Sequence, residues 1–408
     1  MKQEQNHFTF TTVIHPPFVD QEKQEEQFYP SIGFNFATGD VKPGWAFISK
    51  DQPPCVPYFS SYLKKQNGAE FLVTGGAYQD NNNNSISSSA FCFRIQLHDH
   101  MEGHRIKYEL WRQGLTREDE DGNEIEGEKV SVIPQMNFAR HNHKVFELLK
   151  PGTTNQYLYM VVGGQVIISQ EEGWGILNQC EIYDEKGPVN QNGEQQWEVV
   201  ESMIQPRAGF SGFVLNNKVY VYGGLTIENE ETKILHSNKV ECFDLTTRKW
   251  KDFKYRQGLN VTNHLGSSCL PISQKHILIF GGSNGEKVTD KIAIMDVEKG
   301  SIENIKQKTK LSVPRAGAQI FVLKQVDVAD SVQKRDLIVV LGGNQDEVSF
   351  DYFAIKDWNT YDIEYVGKNE FNNVFTGAVT GTYSFGGIND IRAWVKTMQY
   401  MPVVTLIQ

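Results

Sequence analysis

Six pairs of adjacent glycines, each preceded by a short run rich in strand-forming residues, impose the main constraint on the fold of this chain. One run, KVYVYGG, ends at Gly224, and its valines and tyrosines favour a strand. A phosphate-binding loop would need a helix next, because the free N–H groups of the helix face the phosphate. The run is instead followed by a polar loop and a second strand-like run, without a Walker lysine or a G-x-G-x-x-G pattern. We therefore interpret the glycine pairs as structural joints.

The recurrence of the glycine pairs indicates a repeat architecture. The second glycines of the pairs are Gly76, Gly164, Gly224, Gly282, Gly343 and Gly387, separated by 88, 60, 58, 61 and 44 residues. A phosphate site does not recur six times in one chain, whereas a structural unit does. The repeat outweighs the two or three domains that a length of 408 residues would suggest.

One repeat, residues 206–255, contains four strand-like runs and no segment with a helical period. GFSGFVL is the first run, Asn-Asn supplies a tight turn, and KVYVYGG is the second. A polar loop leads to NKVECFDL, and TTRK turns the chain into WKDFKY. Four short strands per repeat predict sheets arranged radially around a channel.

This unit resembles a kelch repeat. The resemblance rests on an arginine at the first strand, a glycine pair after the second, an aromatic-Asp step on the third and a tryptophan on the fourth. These are Arg207, Gly223-Gly224, Phe243-Asp244 and Trp250, then Arg140, Gly163-Gly164, Tyr183-Asp184 and Trp197, and more weakly Arg315, Gly342-Gly343 and Lys356-Asp357. The fourth unit has Gly281-Gly282 and Met295-Asp296, but His264 replaces the arginine and no tryptophan follows.

The resemblance implies an all-β fold, a six-bladed kelch-type β-propeller with four antiparallel strands per blade. We expect residues 28–408 to form this single domain and residues 1–27 to form a polar, flexible tail. After Gly387 only 21 residues remain (408 − 387). We therefore predict that residues 30–50 add an outer strand to the last blade and join the ends of the ring.

The resemblance also places each glycine pair beside the neighbouring blade, where a side chain would collide. Glycine permits such an approach and a positive φ, so its replacement should cost stability. The predicted structural residues are Gly75, Gly76, Gly163, Gly164, Gly223, Gly224, Gly281, Gly282, Gly342, Gly343, Gly386, Gly387, Trp197 and Trp250.

Composition excludes several classes of function. A net charge of −10 and a pI of about 5.6 argue against nucleic acid as a partner. The N-terminus has no apolar signal core and no run reaches membrane-spanning length, so we expect a cytoplasmic protein. The five cysteines form no C-x-x-C. Cys180 and Cys242 align with valine and isoleucine in other repeats, which predicts core residues rather than catalytic thiols.

The loops of one face are the predicted binding surface. By resemblance, partners bind at the loops between second and third strands and at those between blades. Residues 77–89, which include Gln79 and Asp80, are polar, and residues 165–178 contain Trp174, a candidate anchor. In some kelch proteins first-strand arginines grip acidic peptides, which makes Arg140, Arg207, Arg315 and the substituted His264 candidates. The alternative is that each arginine braces its blade through loop carbonyls or a neighbouring carboxylate.

No metal or cofactor is expected. Seven acidic residues lie between Glu118 and Glu128, a solvated run or a patch that steers a basic partner. As a calcium loop the run fails, because Arg117 stands where an aspartate is required. His98 with His100 and His141 with His143 form H-x-H pairs without an obvious third ligand.

These observations favour a non-enzymatic protein-interaction module or scaffold, whose partner is a peptide, a cytoskeletal assembly or another large assembly. One alternative is a propeller enzyme, since kelch-type propellers include oxidases, epimerases and specifier proteins. A second is a stand-alone substrate receptor for a ubiquitin ligase, because the residues before the propeller are too few for a BTB domain.

Overall fold

The computed structural model describes most of the central chain and separate strands near both ends. It covers residues 133–371 except 170–172, 192, 228–233, 258–264, 285, 306–308, 327–334, 342, 344–347 and 359–360. It also covers residues 9–13, 28–34, 41–48, 61–64, 70–79, 86–90, 92–100, 103–109, 117–118, 124–125, 378–380, 383–385 and 403–407. The described elements are all β-strands, numbered β1 to β35 along the chain.

Three sheets of four antiparallel strands and one of five form the blades of a kelch-type β-propeller, as predicted. Blade 2 contains β12 (Lys144–Leu149), β13 (Tyr157–Val162), β16 (Cys180–Asp184) and β17 (Glu198–Val200). Blade 3 contains β18 (Ser211–Leu215), β19 (Lys218–Tyr222), β22 (Val240–Asp244) and β23 (Lys249–Phe253). Blade 4 contains β25 (Ser268–Pro271), β26 (His276–Phe280), β27 (Ile292–Asp296), β28 (Ser301–Asn304) and the short parallel edge strand β24 (Arg256–Gln257). Blade 5 contains β29 (Gln319–Val326), β30 (Arg335–Leu341), β31 (Val348–Asp357) and β32 (Asp362–Phe371).

A ten-stranded sheet holds the strands of both chain ends. Its blade 1 part contains β4 (Ser61–Lys64), β5 (Glu70–Thr74), β8 (Cys92–His100) and β9 (Gly103–Glu109). Its other part contains β33 (Ala378–Thr380), β34 (Tyr383–Phe385), β35 (Val403–Ile407), β1 (Thr9–Val13), β2 (Phe28–Phe34) and β3 (Val41–Ile48). β1 pairs with β35 and with β2, and β3 pairs with β9 in parallel.

This sheet bears on the predicted closure of the ring. β2 and β3, which overlap residues 30–50, form a hairpin and share a sheet with the C-terminal strands. The strand that pairs directly with β35 is β1, which lies within the predicted tail of residues 1–27. The innermost strands contact one another in the cyclic order β4, β12, β18, β25, β29, β33 and β4. That order agrees with six blades, and the blade count, the closure and the domain boundary at residue 28 stay predictions.

Four short hairpins lie outside the blades. They are β6 (Ala77–Gln79) with β7 (Ile86–Ser88), β10 (Arg117–Glu118) with β11 (Glu124–Ile125), β14 (Gln165–Ser169) with β15 (Gly173–Ile176), and β20 (Leu225–Ile227) with β21 (Ile234–His236).

The local sequence explains the blade 3 hairpin. Asn216 and Asn217 both have positive φ, at 50° and 57°, which gives the turn a twist that matches the strands. On β18 buried residues alternate with half-buried ones because successive side chains point to opposite faces. β19 is almost wholly buried because neighbouring blades cover both of its faces. The core therefore lies between blades, as in the cluster that joins Phe146 and Met160 to Val219 and Phe243.

Candidate functional site

The arginines predicted to begin the first strands lie four residues before β12, β18 and β29, in what we call the entry segment of each blade, and are fully buried. Arg140, Arg207 and Arg315 each have 0% of their surface exposed. Arg207 donates from Nε and Nη2 to Glu241 Oε1, at 3.1 and 2.8 Å. Its Nη1 donates to the carbonyl oxygen of Gly223 at 2.6 Å and to Ser237 Oγ at 2.9 Å. The guanidinium thus joins the glycine pair to the third strand of its own blade.

Blade 2 repeats this arrangement around Arg140. Nη2 donates to Glu181 Oε1 at 2.7 Å, and Nη1 donates to the Gly163 carbonyl oxygen at 2.8 Å. Glu181 also accepts the backbone N–H groups of Asn137 and Phe138. One buried carboxylate therefore fixes both the arginine and the segment that enters the blade. We call this unit the arginine clamp.

The clamp carboxylates occupy one register position, which sequence analysis did not identify. Glu181 pairs with Val161 and Glu241 pairs with Val221, and each valine stands two residues before a glycine pair. In blade 5, Asp351 pairs with Val340, also two residues before the glycine pair, and binds Arg315 Nε at 2.9 Å. The sequence signal for these carboxylates is an acidic residue inside an otherwise apolar strand, as in QCEIYD and VECFD.

Blade 4 lacks both members of the clamp. Ala293 occupies the carboxylate position, opposite Ile279, and the sequence places His264 where the arginine stands elsewhere. The arginine and the acid are thus both replaced in the same blade, as expected because either charge buried without the other would be costly.

Burial of the clamp bears on the predicted role of the arginines. Desolvation lowers the pKa of Arg140 and Arg207, and the adjacent glutamate opposes this shift. All of these guanidinium groups lie inside the protein with protein partners, which favours the bracing role over a grip on a partner. His264 and Asp80 lie outside the described residues, and their predicted roles stay predictions.

A Cβ on Gly75, Gly163 or Gly281 would meet the entry segment of the next blade, and a Cβ on Gly164 or Gly224 would meet that of its own blade. A Cβ on Gly163 would lie 2.6 Å from the Arg207 carbonyl oxygen, and one on Gly164 would lie 2.6 Å from that of His141. Gly164 N–H donates to the Arg207 carbonyl oxygen at 2.7 Å. Gly75 and Gly281 meet the carbonyl oxygens of Arg140 and Arg315 in the same way. Gly342, Gly386 and Gly387 lie outside the described residues.

Four residues in the left-handed conformation, which we call the belt, connect the segments just before the inner strands of blades 2 to 5. Asn142, Gly209, Gly266 and Gly317 have φ of 52°, 58°, 61° and 76°, and each stands two residues before its inner strand. Gly209 N–H donates to the Asn142 carbonyl oxygen, Gly266 to that of Gly209, and Gly317 to that of Gly266. These three hydrogen bonds link the entry segments of blades 2 to 5 in series.

His141 and His143 are buried beside the belt and bind hydroxyl groups. His141 Nδ1 lies 3.0 Å from Ser88 Oγ, and His143 Nε2 lies 2.8 Å from Thr74 Oγ1. Desolvation lowers the pKa of His141 to about 4 and that of His143 well below its ordinary value. Both imidazoles are therefore neutral at pH 7 and brace blade 2 against blade 1.

We expect this burial to make the folded protein sensitive to mild acid. The unfolded chain protonates His141 near pH 6.5, whereas the folded chain does so near pH 4. The free energy of unfolding should therefore be highest above pH 6.5 and fall between pH 6.5 and 4, by on the order of 3 kcal/mol for His141. Urea unfolding at pH 7 and 5 should show about 2 kcal/mol of this change. A His141→Gln variant should show a shallower decline, and an equal decline would contradict the assignment.

The two predicted structural tryptophans are buried between blades. Trp197 Nε1 donates to the Pro134 carbonyl oxygen at 2.9 Å, and Trp250 Nε1 donates to that of Glu201 at 3.0 Å. Each ring centroid lies 5.3 Å from the aromatic ring of its third strand, Tyr183 or Phe243. These contacts tie the outer strand of each blade to the segment before it.

The cysteines with described side chains resemble core residues more than reactive thiols. Cys180 is fully buried, and Cys242 packs in part against the cluster between blades 3 and 4. Burial raises the pKa of both Cys180 and Cys269 to about 12, so these thiols stay protonated at pH 7.

Within the described part of the chain, no group of three or more His, Cys, Asp or Glu residues is placed to hold a metal ion. None of the described residues belongs to a helix long and apolar enough to span a membrane.

Three of the hairpins lie on the face where the second strand of each blade ends at its glycine pair. β6–β7, β14–β15 and β20–β21 follow the pairs of blades 1, 2 and 3. β7 contacts β14, and β15 contacts β20, so the hairpins stand side by side in one row. Gln79 lies on β6 and Trp174 lies on β15, so two of the predicted partner-binding residues belong to this row. Their role as contacts stays a prediction.

Comparison with known proteins agrees with the repeat geometry. The model of the KLHDC2/KLHL20/DRC7 Kelch-repeats domain matches residues 153–365, which is more than half of the chain. The chain belongs to the kelch-repeat family. This kelch chain is also 27% identical to alpha-scruin of Limulus polyphemus over 200 residues, 46% of this chain and 19% of alpha-scruin. It is 32% identical to beta-scruin of the same organism over 166 residues, 35% of this chain and 17% of beta-scruin. The matched region spans less than a fifth of each scruin.

Proposed function

We propose that this kelch domain is a non-enzymatic interaction module that binds a protein of a cytoskeletal assembly through the face carrying the hairpins. Family membership and the likeness to the scruins support a protein-binding role. More specifically, we propose that the partner is a cytoskeletal filament, and actin is the first candidate to test.

We choose this face because its hairpins lie outside the blades, whereas the clamp arginines lie inside them. The clamp arginines and the glycine pairs are buried between blades and satisfied by the protein itself. The backbone N–H groups of the belt glycines are likewise bound to carbonyl oxygens of the neighbouring entry segments. The hairpins stand outside this framework, where binding residues usually lie because loops vary without disturbing the scaffold.

Co-sedimentation with purified actin filaments at physiological salt tests the partner class. We expect the kelch chain to enter the pellet in a saturable manner, while an acidic globular protein of similar size stays in the supernatant. Microtubules in a parallel assay distinguish actin from other filaments. Recovery of the kelch chain in the supernatant with both filaments would reject the cytoskeletal proposal.

A further inference from the structure

The inner strands of blades 2 to 5 begin in one common register. The first residue of each strand pairs with the last residue before the glycine pair and stands two residues after a member of the belt. These first residues, which we call the inner layer, are Lys144, Ser211, Ser268 and Gln319. All four are polar, and Lys144 alone among them is charged.

The two serines show where side chains of the inner layer lie. Ser211 Oγ donates to the Ser267 carbonyl oxygen and lies 2.8 Å from Ser267 Oγ. Ser268 Oγ donates to the Ala318 carbonyl oxygen. Each hydroxyl therefore reaches the entry segment of the next blade. At the same register position in blade 2, the longer side chain of Lys144 can extend past the first residue of blade 3.

The surroundings of Lys144 agree with that direction. Lys144 shares a strand face with Phe146, which packs in the core cluster between blades 2 and 3. Its ammonium also interacts electrostatically with the Cys269 thiol on β25 of blade 4. Blades 2 and 4 are separated by blade 3, so this interaction places the ammonium at the inner edge of blade 3.

Lys144 is a cation without a counter-charge in this position. Desolvation lowers the pKa of Lys144. Among the described residues, no carboxylate pairs with its ammonium and no group accepts a hydrogen bond from it. The buried arginines of blades 2, 3 and 5 each have a carboxylate partner. A desolvated charge without a partner is costly, and Lys144 is still partly exposed, so an anion from solution can reach it.

We propose that the inner layer binds a small oxyanion, held by the Lys144 ammonium together with the paired hydroxyl groups of Ser211 and Ser267. Because Ser211 donates to the Ser267 carbonyl oxygen, the Ser267 hydroxyl is the one that can turn to donate to the ligand. An ammonium and a hydroxyl beside one another suit a ligand with several acceptor oxygens, such as phosphate or sulfate. The site is built from the inner strands and does not depend on the proposed protein partner.

Isothermal titration calorimetry with sodium phosphate, on the full chain dialysed against Tris at pH 7, tests the proposal. We expect one phosphate per chain with a dissociation constant below about 1 mM. Lys144→Met removes the charge and keeps an apolar stem, so it should weaken binding at least tenfold. Lys254→Met changes a lysine whose side chain is 87% exposed and should bind as wild type does. Absence of binding at about 10 mM phosphate, or equal affinity in Lys144→Met, would overturn the proposal.

Urea unfolding of the same proteins supplies a second measurement. Without phosphate, Lys144→Met should be at least as stable as wild type, because it removes a charge without a partner. With phosphate, only wild type and Lys254→Met should gain stability, since a ligand stabilises the folded state that binds it. An equal gain in Lys144→Met would place the anion elsewhere and overturn the proposal. If Lys144→Met fails to fold, Lys144→Gln takes its place with the same tenfold threshold.

Competition identifies the class of anion. Sulfate should displace phosphate from wild type, whereas chloride at about 150 mM should leave most of the phosphate bound, because salt screens an enclosed charge only weakly. Displacement by chloride at that concentration would reject an oxyanion site.

Discussion

Replacing Glu241 by alanine should lower the free energy of unfolding by about 3–5 kcal/mol, because it leaves a buried guanidinium without its counter-charge. Glu241 accepts Arg207 Nε and Nη2 and also the N–H groups of Ile204 and Gln205. With both residues at most 2% exposed, water cannot replace the lost carboxylate without opening the gap between blades. Urea unfolding followed by tryptophan fluorescence measures the change.

Two further variants separate the clamp from ordinary ion pairs. Lys218→Ala breaks the partly exposed pair with Asp244 in the same blade and should cost less than about 1 kcal/mol. Arg207→Met in the Glu241→Ala background removes the unpaired charge. This second change should therefore cost much less than Arg207→Met alone, with a coupling of about 1–3 kcal/mol. Additive costs would mean that the two side chains do not act as one unit.

The repeat was readable in the sequence because its signals are local. A glycine pair after a strand, an Asn-Asn turn and an aromatic-Asp step each depend on a few adjacent residues. Accordingly, β19 ends at Tyr222 directly before its glycine pair, β22 ends at Asp244, and Asn216 and Asn217 make the turn. The kelch-type fold followed from these signals and is confirmed.

The clamp was harder to predict because it depends on pairing between distant segments. Glu181 and Arg140 are 41 residues apart, and only the register of β13 against β16 places the carboxylate beside the glycine pair. The same arginines read from the sequence as exposed binding residues or as braces, because a charged residue at the start of a strand fits both. The connections that carry the hairpins read from the sequence as loops, polar in 77–89 and with the candidate anchor Trp174 in 165–178. Their strands are too short to show a period, as in β6 and β7, where Gln79 pairs with Ile86.

Replacing Gly163 by alanine should be nearly as damaging as breaking a clamp. Gly163 has φ of 57°, which costs a residue with a Cβ about 1–2 kcal/mol. The added Cβ would also lie 2.6 Å from the Arg207 carbonyl oxygen and 2.8 Å from Met203 Cε. The methionine can turn aside, but the carbonyl belongs to the entry segment of blade 3 and accepts the Gly164 N–H at 2.7 Å. Relieving the clash therefore requires the two blades to separate, and we expect a total loss of about 3–5 kcal/mol.

Gly152→Ala is the matched control for this loss. Gly152 has φ of 78°, and no atom lies within 4 Å of the position that an added Cβ would occupy, so the variant retains the conformational cost without the clash. Alanine also restricts the unfolded chain, which offsets part of that cost. We expect the free energy of unfolding to fall by about 1 kcal/mol in Gly152→Ala. Equal losses in the two variants would show that glycine serves at the joint only for its backbone conformation, whereas a larger loss in Gly163→Ala measures the close approach that holds neighbouring blades together.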